Sequence, residues 1–192
     1  ETKGKLELFF GKHGNKMLWA IIIVGLVLSA YFIFKNYSDS RATVKEQSAS
    51  IAVANELNGA KSIEGFDKVQ EEYKGTASAN TACYLAAVAA LEAGEIEKAE
   101  SELAKYNDAE GAAGEMLNAK VYGFRGDIAV EKNDLQTAAA EFAKAANASD
   151  DEHTFVTYSK KLALVYEAMG DNAKALEFYE KALNIREKVL GT

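Results

Sequence analysis

Residues 162–183 decide the fold, and they read LALVYEAMGDNAKALEFYEKAL. Ala163 and Ala175 lie in two segments of helical composition, and Gly170 between them permits a tight turn. Small side chains let two antiparallel helices approach closely, while a large ring such as that of Tyr179 fills the gap between neighbouring helix pairs. The stretch therefore predicts a helical hairpin.

The same pattern occurs twice upstream, which makes it an internal repeat. Aligning Gly94, Asn133 and Gly170 brings Ala99, Ala138 and Ala175 into register. The predicted units cover about residues 80–113, 119–152 and 156–189. This pattern resembles the tetratricopeptide repeat and implies an all-α solenoid of stacked hairpins. Generic helical hairpins are the alternative, since the chain has no proline to follow each unit.

Residues 35–79 are predicted to form a connecting helix and a degenerate hairpin. Apolar residues recur at helical spacing before Asn58, and Gly59 is predicted to end the helix as its left-handed cap. A second helix is predicted over 63–74, followed by Gly75.

The most apolar part of the chain is 17–34, MLWAIIIVGLVLSAYFIF, which contains no charged residue. As a helix it would be about 27 Å long, close to the thickness of a bilayer's hydrocarbon core, so we expect a transmembrane helix. A cleaved signal peptide is the alternative, but its apolar core usually has only about 7 to 15 residues. Residues 1–16 would lie at the inner headgroups. Gly25 and Ser29, four residues apart, are predicted to pack against another membrane helix.

Charge sets the predicted orientation and excludes one class of partner. Lysines precede and follow the apolar run, with a small excess on the N-terminal side, and the whole chain has a formal net charge of −7. An acidic body repels nucleic acid and anionic lipid surfaces. We therefore expect a single-pass protein of a bacterial inner membrane, with its N-terminus cytoplasmic and its repeats periplasmic.

The sequence offers little catalytic chemistry. Cys83 is the only cysteine, and neither His13 nor His153 has a partner at a recognisable metal or catalytic spacing. We expect no enzyme activity, cofactor or metal. Arg125 replaces an apolar residue of its unit, so we expect a carboxylate partner for it, drawn from Asp108, Glu115 or Asp134.

The repeat resemblance also implies a binding surface. In such solenoids the first helix of each pair lines the concave face. The corresponding positions here are Thr81, Tyr84, Val88, Leu91, Glu92, Lys120, Gly123, Asp127, Val130, Glu131, Thr157, Lys160, Leu164, Glu167 and Ala168. This mixture of apolar and acidic groups suits an extended peptide or a partner helix that carries basic residues.

A narrower resemblance covers nearly the whole chain. An apolar span precedes GFDKVQEEYKGTASANTACYLAAVAALEAGEIEKAESELAKY (65–106) and FRGDIAVEKNDLQTAAAEFAKA (124–145). This order is similar to the YfgM-like proteins, the ancillary subunits of the bacterial SecYEG translocon, and to their relatives in Bacteroidetes-type bacteria. The resemblance implies a scaffold in the membrane lipid beside SecYEG subunits. Its partners would be unfolded or nascent secreted polypeptides and a membrane-anchored parvulin-like periplasmic chaperone. A tethered adaptor for another envelope or signalling complex is the alternative.

Overall fold

The computed structural model describes the backbone of residues 2–190 and the side chains of residues 24–188. This described part holds eight helices and is all-α, which confirms that part of the predicted fold class. They are α1 (Thr2–Asn58), α2 (Ile63–Glu72), α3 (Ala77–Glu92), α4 (Ile96–Lys105), α5 (Gly111–Glu131), α6 (Leu135–Ala146), α7 (Glu152–Ala168) and α8 (Asn172–Leu190). The chain divides into two compact units, Glu1–Ser48 and Ala49–Thr192.

The first unit is helical throughout its described length and exposes apolar side chains. Those of Leu26, Phe32 and Ile33 are 65%, 64% and 72% exposed. Among the described residues, no helix is both long enough and apolar enough to cross a membrane. The predicted interfacial segment 1–16 and residues 17–23 of the predicted span lie outside the residues whose side chains are described.

The second unit is built by packing each helix on the next. Near its start, Val53 of α1 lies in one core cluster with Phe66 and Val69 of α2 and with alanines of α3. A second cluster joins α3, α4 and α5, and a third joins α5, α6, α7 and α8. Alanines that are fully or almost fully buried allow the close packing that the repeat pattern predicts, and they are Ala82, Ala86, Ala87, Ala90, Ala99, Ala119, Ala138, Ala145, Ala163, Ala175 and Ala182.

The turn within each repeat has the same conformation in all three units. Gly94, Asn133 and Gly170 have φ angles of 77°, 57° and 79°, in the left-handed region. The amide that follows each of them donates to a carbonyl five residues back, over 2.8 to 2.9 Å. This is the Schellman arrangement that ends a helix. The alignment of these three positions, made from residue type, therefore describes the backbone correctly.

The predicted cap at Gly59 is wrong, because the left-handed residue in this turn is Lys61, with a φ of 51°. The Glu56 carboxylate sets the turn instead, accepting hydrogen bonds from both the amide and the hydroxyl of Ser62 at 2.7 and 3.0 Å. That carboxyl group lies where a side chain on Gly65 would be, only 2.1 Å from an ideal Cβ position. Helix α2 then ends at Glu72, two residues before the predicted end.

Helix α5 begins at Gly111, well before the predicted start of the second unit at residue 119. The buried Asn118 side chain explains the extension. It accepts from the Tyr106 hydroxyl at 2.6 Å, and it both accepts from and donates to the backbone of Ala109 at 2.9 Å. The segment between α4 and α5 is thereby held along the first turns of α5, where Gly114 leaves room for it.

Arg125 lacks the predicted carboxylate partner. No ion pair joins it to any described residue, and its guanidinium donates to the Leu103 carbonyl at 2.6 Å. Leu103 is in the last turn of α4, where carbonyl groups have no helical partner and the helix dipole favours a cation. Two of the candidate carboxylates are engaged elsewhere: Asp108 accepts from the Tyr122 hydroxyl and Asp134 caps α6.

Candidate functional site

The faces of α3, α5 and α7 that their hairpin partners leave uncovered form what we call the first-helix surface. Its centre is a row of half-buried aromatic rings from three different helices. The rings of Tyr84 on α3 and Phe124 on α5 are 5.7 Å apart at their centroids. Tyr158 on α7 continues the row by lying over Gly123 of α5. The row therefore joins all three repeat units.

Gly123 has a steric role in this row. An ideal Cβ there would be 2.3 Å from Cε1 of Tyr158, far inside van der Waals contact. The glycine thus makes the space that the ring of the next unit fills. Gly123, predicted to be an accessible groove position, is buried for this reason.

An ion pair beside the aromatic row ties α5 to α7. The Lys161 ammonium contacts both carboxylate oxygens of Asp127 at 2.7 Å. The same ammonium is 5.5 Å from the centroid of the Phe142 ring, within cation–π range. Asp127 was predicted to face a partner, and the structure gives it an intramolecular partner instead.

The exposed acids of the first-helix surface lie at the carboxyl ends of its helices. Glu92 and Glu131 are the last residues of α3 and α5, and Glu167 is next to last in α7. An acid is unfavourable at this end of a helix, where the dipole is negative and no basic residue of the last turn offsets it. Glu167 accepts a hydrogen bond from Tyr179 at 3.1 Å, whereas Glu92 and Glu131 form no ion pair with described residues. These acids form an edge suited to a cationic partner, which we call the acidic edge.

The remaining predicted positions divide into accessible and packed residues. Val130 and Leu164 are exposed by 42% and 56%. Leu91 is half-buried against the core cluster that joins α3 to α5, and the Thr81 hydroxyl donates to the Ala77 carbonyl of its own helix. Lys120, Lys160 and Ala168 are exposed, and Val88 and Thr157 are half-buried.

Three residues of this surface were missed from the sequence: Phe124, Tyr158 and Lys161. Their contacts are made across repeat units, and a pattern read within one unit does not reveal them. Gly123 could have indicated the position of Tyr158, because the space left by a glycine on a helix face is often filled by a large side chain from the neighbouring helix.

The ionisable groups of the aromatic row remain neutral at physiological pH. Burial raises the pKa of Tyr158, and the nearby Asp127 and Tyr84 raise it further. Burial also raises the pKa of Tyr84. Both phenols therefore offer hydrogen-bond donors rather than nucleophiles. Among the described residues no group of His, Cys, Asp and Glu is arranged to hold a metal ion.

A separate cleft of about 910 Å³ opens beside the turns that precede α3 and α5. Cys83 is part of its lining, and burial raises the pKa of that thiol to about 11, with a further contribution from Glu102. The thiol is thus protonated and poorly nucleophilic at neutral pH. Asn80 closes one side: its side-chain NH2 donates to the Asn107 carbonyl, and its side-chain oxygen accepts from the Asn107 amide.

Comparison with known proteins agrees with this architecture. Residues 8–116 match the family model of the tetratricopeptide repeat-like domain, and residues 161–189 match that of a tetratricopeptide repeat. The crystal structure of MamA has a similar fold, with a TM-score of 0.50 and 17% sequence identity over 82% of this chain and 96% of that chain. No curated protein sequence matches the chain significantly.

These matches support the repeat and its general role, and the YfgM-like resemblance stays a prediction. Domains of this kind mediate protein–protein contacts and are typically scaffolds rather than enzymes. The first family match spans more than half of the chain. The chain therefore belongs to the tetratricopeptide repeat-like domain family.

Proposed function

We propose that this protein is a membrane-anchored scaffold that binds other polypeptides through its first-helix surface. The observation that carries the proposal is the combination of the aromatic row with the acidic edge. Rings from three units supply apolar contact area, and Glu92 and Glu131 supply unpaired charge. A partner segment with apolar and basic residues would complement both features.

The anchor is supported by two features of the N-terminal unit. Residues 17–34 carry no charge, and within 24–34 apolar side chains are exposed on all sides of the helix. A helix that is apolar all round needs an apolar environment. The cytoplasmic N-terminus and periplasmic repeats are part of the proposal and rest on the distribution of lysines.

The proposed partners come from the resemblance to YfgM-like proteins. They are SecYEG subunits, newly translocated polypeptides and a membrane-anchored parvulin-like chaperone. An envelope or signalling complex of another kind is the second candidate, because the same surface and anchor would serve it. We infer no catalytic role, since the described surface offers phenols, carboxylates and ammonium groups without a base-activated nucleophile.

Charge reversal tests the acidic edge. The substitution pair Glu92→Lys and Glu131→Lys reverses two exposed acids on first helices. The pair Glu64→Lys and Glu97→Lys makes the same change in net charge on α2 and α4, where the acids are also exposed. Recovery of partner proteins in mild detergent should fall at least tenfold for the first pair and stay within twofold for the second. Equal recovery with both pairs would contradict the proposal.

The identity of the recovered complex separates the two candidates. Recovery of SecYEG subunits with the unsubstituted protein would support the translocon role. Recovery of a different membrane complex, still sensitive to the first pair, would leave the scaffold in place and replace the Sec assignment.

A further inference from the structure

The third repeat exposes a patch that we call the terminal face. It is formed by Leu164 of α7 and by Leu176 and Leu183 of α8, which are 56%, 59% and 51% exposed. Leu176 and Leu183 are seven residues apart and therefore lie on one side of the helix. Three large aliphatic side chains together make this an apolar patch rather than scattered surface residues.

The second repeat shows what covers the equivalent surface. When the turns at Asn133 and Gly170 are aligned, Ala139 and Ala146 of α6 correspond to Leu176 and Leu183. Those alanines are only 7% and 2% exposed, because α7 packs on them.

The third leucine fits the same correspondence. Leu164 is equivalent to Asp127, which pairs with Lys161 of α7. In the second repeat, then, one helix packs on the alanines of α6 and pairs its basic residue with Asp127. No described helix occupies that place on the third repeat.

The charges around the terminal face favour a basic occupant. Glu180 and Glu187 follow Leu176 and Leu183 by four residues, so they lie on the same side of α8. Both are exposed and form no ion pair with a described residue. Glu167 of α7 adds a third acid near the edge.

The basic residues nearby offset this charge only in part. Lys181 and Lys188 of α8 already pair with Glu177 and Glu152. Arg186 and Lys160 remain as unpaired cations at the border within the described structure. Two copies of this face would bring six acids against four cations, which disfavours self-association.

We propose that the terminal face binds an amphipathic helix of a partner protein, in the position that α7 occupies on the second repeat. Its apolar stripe would face Leu176 and Leu183, as the apolar side of α7 faces the alanines of α6. Basic residues at its margin would face Glu180 and Glu187. This site shares Leu164 with the predicted groove and has Glu167 of the acidic edge at its border, but its two leucines on α8 lie outside the first-helix surface. The proposal does not depend on the function proposed for that surface.

The probe is a synthetic labelled peptide of residues 151–169, which contains α7, the helix that covers the equivalent face. Its affinity for the full chain in detergent would be measured by fluorescence anisotropy. The substitution pair Leu176→Asp and Leu183→Asp should weaken binding at least tenfold. Ile51→Asp is the matched control, since Ile51 is 61% exposed on another helix, and it should leave binding within twofold.

Two further measurements keep the test decisive. A peptide with Lys160→Glu and Lys161→Glu should bind at least tenfold more weakly if the acidic residues select a basic helix. Circular dichroism should show unchanged helix content in the leucine variant, whose substituted positions are exposed. Absence of peptide binding to the unsubstituted chain would overturn the proposal, as would binding that ignores the leucines. Sedimentation showing a dimer that the leucine substitutions dissociate would assign the face to a second copy and overturn it as well.

Discussion

At the residue scale, Gly126 is the point of α5 against which the Phe142 ring of α6 packs. An ideal Cβ on Gly126 would be 2.6 Å from Cε1 of Phe142, a residue that is only 2% exposed. The contact of Gly126 with the ring of Phe142, sixteen residues later, gives the physical reason for a residue without a side chain at this point of α5.

Substituting Gly126→Ala should therefore destabilise the protein, although alanine normally stabilises a helix by about 0.5–1 kcal/mol relative to glycine. We expect a loss of about 1–3 kcal/mol in the free energy of unfolding, as for other overpacked cores. Urea denaturation followed by circular dichroism measures it. Gly126→Ala in a Phe142→Leu background should cost less, because the smaller side chain relieves the collision. An increase in stability on the unsubstituted background would contradict the packing described.

Residue-level prediction from sequence was least successful for charged and buried polar groups. Arg125 was expected to need a carboxylate, yet a backbone carbonyl at the end of α4 satisfies it. No role was predicted for Asn118, although its side chain fixes the segment before α5. Both errors have one cause: backbone groups at helix ends are strong partners that residue types do not reveal.

At the element scale, the turn of each hairpin is set by one left-handed residue. Gly94→Ala and Gly170→Ala should each reduce the free energy of unfolding by about 1 kcal/mol, because a Cβ is strained at positive φ. Asn133 already bears that strain, so Asn133→Gly should change stability by less than about 0.5 kcal/mol. Thermal or urea denaturation of the three variants gives the comparison. Equal losses at all three positions would mean that their shared conformation does not govern their stability.

A group of paired charges joins α2 to α4. Glu102 is fully buried, and it contacts the ammonium groups of Lys98 and Lys105 at 2.8 Å and the Gln70 amide at 3.1 Å. Asp67 of α2 pairs with the same two lysines at 3.1 and 3.2 Å. Burial on its own would raise the pKa of Asp67, but the hydrogen bonds from Lys98 and Lys105 outweigh it and lower the pKa below 3.8.

A carboxyl group with a depressed pKa stabilises the folded state above its unfolded pKa, and that contribution is lost as the pH falls through the folded value. The free energy of unfolding should therefore drop as the pH falls from about 4 toward the lower pKa of Asp67. The Asp67→Asn variant should be less stable at pH 6 and should show a shallower drop in this interval. Urea denaturation from pH 6 down to pH 2.5 tests this, and identical pH profiles for the two proteins would refute the coupling.

The positions of the helices could be predicted from periodicity, whereas their ends could be predicted only in part. The three hairpin turns were found because glycine and asparagine mark left-handed positions. The turn after α1 was misassigned because Gly59 precedes Lys61, and the Glu56 carboxylate, not residue type, decides which of them is left-handed. A side chain that folds back over a turn leaves no periodic signal.

At the scale of the whole molecule, the internal repeat fixed the all-α architecture, since each hairpin buries its apolar side only against its neighbours. The binding role predicted for the first helices stays a prediction, and the contacts between their side chains were not foreseen from the sequence. The aromatic row and the Asp127–Lys161 pair form between units, at sequence separations that depend on the loops. Glu92 and Glu131 at the helix ends are exposed and form no ion pair with described residues, so they stay available to a partner.

In-cell photocrosslinking tests the central claim most directly, which is that the first-helix surface binds other polypeptides. A photoreactive residue would replace Val130, which is 42% exposed on α5, with Ala140, an exposed residue of α6, as the control position. A third position, Gly25, would report on the proposed anchor. We predict defined adducts with other proteins from position 130, few from position 140, and a membrane-protein adduct from position 25. Equal or absent adducts at positions 130 and 140 would contradict the assignment of this surface as the binding site.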